Sequence, residues 1–296
     1  MENTKVSVIM NCFNGGKYLD KAIKSVFDQR YQNWELIFWD NCSTDKSAEI
    51  FKSYSDPRLK YYYADNHTRL YEARNYAISK SVGDLIAFLD CDDYWHHNKL
   101  TKQVPLFENP KIGFVYSNYM IHDEMKNKQY QSKNKLFKGV VTSKLLENYF
   151  IGLLTLVIRK KAYNSMNEKF DKNLQIIGDL DFTVRLSENW ESDFNNDVLA
   201  TCRKHGENLL LKESSTNIDE LIYWEKKFIN KKNISQLKGF TFFKQNTIYL
   251  SIKQDIQDKK LGQGLKKIFS IKRPKLILKS FLFIIFNLRI FFVNDK

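Results

Sequence analysis

The sequence predicts an α/β fold with a mostly parallel sheet flanked by helices, and three observations predict it. Short β-rich apolar runs alternate with segments of helical periodicity over the first 118 residues, giving a βαβαβαβ order whose right-handed crossovers lay the strands parallel. Two of the runs end in carboxylates, at Asp40 and at Asp90-Cys91-Asp92-Asp93, and the C-terminal edge of an open parallel sheet is where ligands bind. A chain of 296 residues that is 43% hydrophobic can also bury a core of catalytic size.

The first strand covers 6–10 and leads through the polar turn Asn11-Cys12-Phe13-Asn14-Gly15-Gly16-Lys17 into a helix over 18–29, where Leu19, Ala22, Ile23, Val26 and Phe27 recur at helical spacing. Gly16-Lys17 does not make a P-loop, because Asn11 stands at the required first glycine and no Ser or Thr follows the lysine. A second buried strand, 36–39, ends in Asp40, and Ser43 or Thr44 is expected to cap the helix that continues through Ala48, Ile50 and Phe51. Asp56-Pro57 stops that helix, 59–63 forms a third strand, and a further helix begins at Glu72-Ala73-Arg74-Asn75.

The apolar run that begins at Gly83 then delivers three carboxylates within four residues, with Tyr94 and Trp95 just after. Like charges this close repel unless they protonate or find a cation, so a divalent ion or a cationic substrate is the natural partner. Beyond it the pattern predicts a helix over 99–107, a strand over 112–116, a mobile polar segment over 122–138 and a strand over 152–158. Gly178-Asp179-Leu180-Asp181 opens a helix in which acids of the first turn also suit the helix dipole. A short strand over 198–201 precedes Arg203-Lys204-His205-Gly206-Glu207-Asn208.

The charge of the chain is concentrated in its tail. Residues 226–296 hold 17 Lys and Arg against 3 Asp, or +14, whereas 1–225 hold 30 against 31, or −1, which together give the net +13. A neutral body with a basic, aromatic tail suits an anionic membrane surface, and no nucleic acid is expected as a partner. On a helical wheel at about 100° per residue, Lys272, Lys275, Lys279, Ser280 and Asn287 fall within roughly 140°, with Arg289 at the margin. Leu276, Ile277, Phe281, Ile284, Ile285, Leu288 and Phe292 lie outside that arc, so the terminal helix is expected to lie in the interface, not to cross it. Four dispersed cysteines without CxxC, and no N-terminal signal pattern, point to a reducing cytoplasm and a peripheral position on the inner face of the cytoplasmic membrane.

Taken together, residues 4–210 resemble glycosyltransferase family 2, the inverting GT-A enzymes that use nucleotide sugars. The family's Pro-x-Tyr-Asn is similar to Asn11-Cys12-Phe13-Asn14, its Asp-Asp-Gly-Ser-Thr-Asp to Asp40-Asn41-Cys42-Ser43-Thr44-Asp45, and its Ala-Arg-Asn to Ala73-Arg74-Asn75. Its Leu-Asp-x-Asp-Asp matches Leu89-Asp90-Cys91-Asp92-Asp93 without a change, its Glu-Asp-x-Asp resembles Gly178-Asp179-Leu180-Asp181 with Arg185 following, and its Arg-x-His-x-x-Asn resembles the stretch from Arg203 to Asn208.

The resemblance implies residues 1–118 as the nucleotide-sugar half and 119–212 as the acceptor and base half of one GT-A domain; charge and periodicity make 213–296 a basic helical region expected to associate with the membrane. It implies donor contacts by Asn11, Phe13, Asn14, Asp40, Arg74, Asp90 and Cys91, a Mn²⁺ or Mg²⁺ ion on Asp92 with His205 beside it, and support from Asp93 and Arg185. Asp179 is the implied catalytic base, with Asp181 as runner-up because Gly178 replaces the neighbouring glutamate. The implied reaction moves a sugar, from a UDP-sugar, to a hydroxyl of a glycan or lipid-linked saccharide in bacterial surface-glycan assembly. A nucleotidyltransferase of similar architecture and an inactive nucleotide-sugar-binding protein are the alternatives.

Overall fold

The computed structural model describes the backbone of residues 3–209 and 214–294, with side chains for 3–209 and 216–284. The chain forms two compact units: Met1–Thr142 with Tyr149–Lys212, and Ser143–Asn148 with Glu213–Lys296. The expected division at 212/213 lies outside the described residues.

The first unit is built on a nine-stranded sheet in the order β3-β2-β1-β4-β8-β6-β9-β5, with β7 paired to β6. Its strands are β1 (Val6–Cys12), β2 (Trp34–Asp40), β3 (Leu59–Tyr63), β4 (Leu85–Phe88), β5 (Tyr94–Trp95), β6 (Ile112–Asp123), β7 (Lys128–Gln131), β8 (Val157–Arg159) and β9 (Glu191–Lys204). Strands β1 to β4 pair in parallel, as do β6 and β9, whereas β8, β5 and β7 run against their neighbours. The helices that position the site are α1 (Gly16–Phe27), α2 (Ser47–Lys52), α3 (Leu70–Ser79) and α7 (Gly178–Leu186); α4 (Lys99–Gln103), α5 (Thr142–Glu147) and α6 (Lys160–Ser165) lie between them in sequence.

β1, β2 and β4 are buried almost throughout, as strands covered on both faces should be. On one face Val6, Val8, Met10, Leu36, Phe38, Leu85 and Ala87 pack with Leu19, Ala22, Ile23 and Val26 of α1. Periodicity therefore located α1 correctly, and the parallel register brings Cys12 level with Asp40 at the C-terminal edge.

Several local expectations change. Ser43 and Thr44 do not cap α2, which begins at Ser47; Asp45 Oδ1 accepts from Ser47 N at 2.9 Å instead. The 122–138 segment is partly ordered, with β7 closing a hairpin on β6. Of 152–158 only Val157 and Ile158 are strand, as the start of β8, preceded by a 3₁₀ turn over Leu153–Thr155. The expected short strand at 198–201 is the end of the fourteen-residue β9.

In the second unit, helices run over Ser214–Phe228, Lys232–Ser235, Lys238–Gln257, Leu261–Ile268 and Pro274–Asn294. Ile252, Ile256, Ile268, Ile271, Leu276 and Ile284 form its small core. Ser280, expected on the polar arc, is instead fully buried and donates to the Leu276 carbonyl at 2.9 Å. The side chains of Ile285, Asn287, Leu288, Arg289 and Phe292 lie outside the described residues. Among the described residues no helix is long and apolar enough to cross a membrane.

Candidate active site

Two loops at the C-terminal edge of β1 and β2 are tied side by side. Asn14 N donates to Ser43 Oγ at 3.0 Å, Thr44 N to Asn14 Oδ1 at 2.8 Å, and Gly16 N to Asp45 Oδ2 at 2.9 Å. This is where Ser43 and Thr44 are used, and it is why they are not caps. Asn14 (φ 53°) and Cys42 (φ 69°) both sit in the left-handed region, which Asn tolerates and glycine prefers. A Cβ on Gly15 would lie under 3.0 Å from the sulfurs of both Cys12 and Cys91, so only glycine lets this loop approach the acidic turn.

Asp40 is fully buried, and its two oxygens are taken by Ser43 N and the Tyr61 hydroxyl, each at 2.8 Å. Its carboxylate thus holds the loop that follows β2. Phe13 is half-exposed beside the loop, with its ring 4.2 Å from that of His67, a residue sequence reasoning did not single out. Asn41 joins them: its amide donates to the Thr68 carbonyl at 2.8 Å, and its own carbonyl lies 2.9 Å from His67 Nδ1.

The acidic turn gives its carboxylates different surroundings. Asp90 Oδ1 accepts from Arg74 Nη2 at 2.7 Å. Removal from water pushes the Asp90 carboxyl up and Arg74 draws it partly back. Asp92 Oδ2 stands 3.0 Å from His205 Nε2 and 3.3 Å from Asn208 Nδ2. Asp93 is buried and accepts from Arg203 N at 2.8 Å; burial first, then the charges of Asp92 and Asp90, push it well above the usual carboxylate range. Arg203 completes the turn by donating from Nε to the Asp92 carbonyl (2.9 Å) and from Nη1 to Glu124 (2.7 Å). Tyr18 also donates to Glu124, at 2.8 Å, and stacks on His205 with ring centres 4.7 Å apart.

Asp179 lies in the first turn of α7, partly buried, with the Tyr71 hydroxyl 3.4 Å from its Oδ1. Its own backbone neighbour Leu180 N donates to the same oxygen at 2.8 Å. Desolvation pushes this carboxyl up to about 6, opposed by the Leu180 amide, the Arg74 charge and the Tyr149 hydroxyl. Arg74 therefore acts on both acids, bonding Asp90 and lowering Asp179. Asp181, by contrast, has no exposure and is paired with Arg185, whose Nε is 3.0 Å from its Oδ2. Arg185 also donates to the Glu168 and Lys169 carbonyls, so this pair braces the chain under α7.

Among the described residues, the buried polar groups at this edge without a protein partner include the side-chain amide of Asn11, which is 7% exposed, Nη1 of Arg74, the Trp39 indole nitrogen and the Tyr149 hydroxyl. Buried polar atoms are seldom left unpaired, and a site that receives a polar ligand is a natural reason. Tyr71, Tyr149, Tyr18, Glu124 and His67 complete the neighbourhood. None carried a local signal, since each meets its neighbours in the site across a long sequence separation.

A mixed sheet with acids at the end of β4, a second acid opening α7 and a basic-aromatic closure from β9 defines a GT-A type of nucleotide-sugar transferase fold. Solved structures agree on the fold: S. aureus TarS 1-349 in complex with UDP-GlcNAc (TM-score 0.61, 16% identity, covering 96% of this chain and 89% of that one). The mannosyltransferase PcManGT from Pyrobaculum calidifontis, in complex with GDP-Man and Mn²⁺, superposes with a TM-score of 0.66 at 14% identity, covering 90% of this chain and 74% of that one. The family model for glycosyl transferase family 2 matches residues 7–166, more than half of the chain, and the chain belongs to that family. Among curated relatives, the Escherichia coli UDP-Glc:alpha-D-GlcNAc-diphosphoundecaprenol beta-1,3-glucosyltransferase WfgD is 34% identical over 170 residues. That match covers 57% of this chain and 66% of WfgD, so it spans just under two thirds of the relative's length.

Proposed function

We propose that the chain is an inverting glycosyltransferase that moves a sugar from a UDP-sugar to a hydroxyl of a lipid-linked saccharide in bacterial surface-glycan assembly. The observation that carries this reading is the pair of acids served by Arg74: Asp90 bonded to its Nη2, and Asp179 with a carboxyl pushed up to about 6. A base with a pKa just below working pH is ionised yet still able to take a proton. Asp179 then accepts the proton of the acceptor hydroxyl as that oxygen attacks the anomeric carbon, and the nucleoside diphosphate leaves from the opposite side. The Leu180 amide, 2.8 Å from Oδ1, fixes the carboxylate from the backbone, and Arg74 limits how far burial can neutralise it.

The donor side follows from the tied loops. Phe13 and His67 offer ring faces, Asn11 and Arg74 offer unpaired donors, and Asp40 works through the loop it fixes. Asp92 Oδ2, a hard carboxylate donor, and His205 Nε2, a borderline imidazole donor, lie 3.0 Å apart; the carboxylate suits Mn²⁺ or Mg²⁺ and the imidazole favours Mn²⁺ of the two. Among the described residues no three such side chains gather closely enough to hold a metal alone, so diphosphate oxygens and water would complete the shell. When bound, the ion would supply Lewis-acid stabilisation of the leaving diphosphate. The Mn²⁺ bound with GDP-Man in PcManGT supports this choice, and the UDP-Glc of WfgD and the UDP-GlcNAc bound to TarS support UDP. The GlcNAc-diphosphoundecaprenol acceptor of WfgD supports a lipid-linked acceptor and work at the inner face of the membrane, where the basic C-terminal unit would meet anionic lipid.

The test is a donor panel with purified protein and Mn²⁺, read as sugar transfer or slow donor hydrolysis. Turnover of a UDP-sugar is the expected result. Pyrophosphate release from a nucleoside triphosphate would mark a nucleotidyltransferase instead, and binding without turnover would mark a binding protein.

A further inference from the structure

The helix Pro274–Asn294 has three faces where its side chains are described. Leu276, Ser280 and Ile284 point into the unit's core together with Ile268 and Ile271 of the preceding turn. Leu278, Phe281 and Leu282 are 61%, 44% and 57% exposed, and at about 100° per residue they form one band spanning roughly 100°. Lys275 and Lys279 follow beside that band, both exposed. The helix Leu261–Ile268 ends in a matching pair one turn apart, Leu265 at 37% exposure and Phe269 at 90%. Exposed apolar residues on this scale mark a surface that is covered in use.

Charge says what covers it. Residues 259–294 contain nine Lys and Arg and no Asp or Glu. Of these Lys259, Lys260, Lys266, Lys272, Lys275 and Lys279 are exposed. An apolar band edged by lysines and free of acids is complementary to one kind of surface, a bilayer that is anionic at its headgroups and apolar beneath. A second copy of the chain would bring the same lysines against each other, and RNA would leave Phe269, Leu278 and Leu282 in water.

We propose that Phe269, Leu278, Phe281 and Leu282 seat in the headgroup–acyl boundary of an anionic membrane while Lys266, Lys272, Lys275 and Lys279 meet lipid phosphates. This rests on the membrane reading above and changes the face that makes contact, because Leu276 and Ile284, which a helical wheel assigns to lipid, are packed inside. No group transfer is involved; the lipid is a surface for docking.

The experiment is co-sedimentation of the full chain with phosphatidylcholine vesicles, with and without phosphatidylglycerol, over a salt series. Wild type should bind the anionic vesicles, more weakly as salt rises. The variant Phe269→Glu with Leu278→Glu should lose about tenfold in partitioning, with circular dichroism and donor hydrolysis in solution unchanged. A Lys266→Gln, Lys272→Gln, Lys275→Gln, Lys279→Gln variant should lose the salt dependence. If wild type binds and the Phe269 and Leu278 variant binds equally, this face is wrong while the membrane reading stands. If wild type binds neither vesicle, or if it forms a dimer that the variant abolishes, the lipid assignment itself is overturned. Hydrolysis of a UDP-sugar in the same preparations reports separately on the catalytic reading.

Discussion

The ring of Tyr71 occupies the space that any side chain at residue 178 would need: a Cβ added to Gly178 would lie under 3.0 Å from three of its ring carbons. Where the resembling motif has glutamate this chain has Gly178, and the Tyr71 ring from α3 fills the space beside it. The tyrosine's hydroxyl reaches the Ile176 carbonyl at 3.1 Å and Asp179 at 3.4 Å.

Gly178→Ala should therefore overpack the site. A loss of about 1–3 kcal/mol in unfolding free energy is expected, read by urea denaturation. In a Tyr71→Ala background, itself destabilised by the loss of a buried ring, the same glycine change should cost less, and strict additivity of the two changes would contradict the contact.

The proposed role of Asp179 sets a pH profile. With its ionised form as the base, kcat/KM should rise with pH and flatten above about 6. Stability has the opposite sign: a carboxyl raised above its ordinary 3.8 disfavours the folded state once ionised, and this penalty fades as pH falls through about 6. Asp179→Asn should thus be more stable than wild type at neutral pH, by on the order of 1–2 kcal/mol for this partly buried group. Equal melting of the two proteins at pH 8 would argue against the raised carboxyl.

Cys42 stands at φ 69°, where the family carries glycine. Cys42→Gly should remove strain of about 1–2 kcal/mol, against a gain in unfolded-chain entropy of about 0.4–1 kcal/mol. The Cys42 Sγ contact to the Ala64 carbonyl at 3.2 Å is also lost. A rise in melting midpoint of a degree or more is expected, on the order of a few tenths of a kcal/mol, and a clear fall would mean that the sulfur contact matters more than the strain.

Metal dependence separates the acids of the turn. EDTA should stop turnover, and Mn²⁺ or Mg²⁺ should restore it. Asp92→Asn should raise the metal concentration needed by at least about tenfold. His205→Ala should do so less strongly, and Asp93→Asn should act on stability more than on metal, because Asp93 is spent on Arg203 N.

Much of this site was legible because its chemistry is local. A buried strand ending in Asp90-Cys91-Asp92-Asp93 is continuous in sequence, and so is the first turn of α7. Ser43 and Thr44 were misassigned because their partner, Asn14, sits on another loop 29 and 30 residues away. Telling Asp179 from Asp181 needs the fold: both lie in the first turn of the same helix, and only packing sends Asp181 under Arg185 and leaves Asp179 beside Tyr71. Ser280 was placed on the wrong face because a wheel ranks polarity, whereas a buried serine can satisfy its hydroxyl on its own helix at Leu276.

The most direct measurement of the central claim is single-turnover transfer and donor binding by Asp179→Asn, side by side with Asp181→Asn. The account predicts that Asp179→Asn loses about 10²–10⁴-fold in transfer rate while binding the UDP-sugar with near-normal affinity, whereas Asp181→Asn loses folding stability. Near-normal turnover in Asp179→Asn would contradict it.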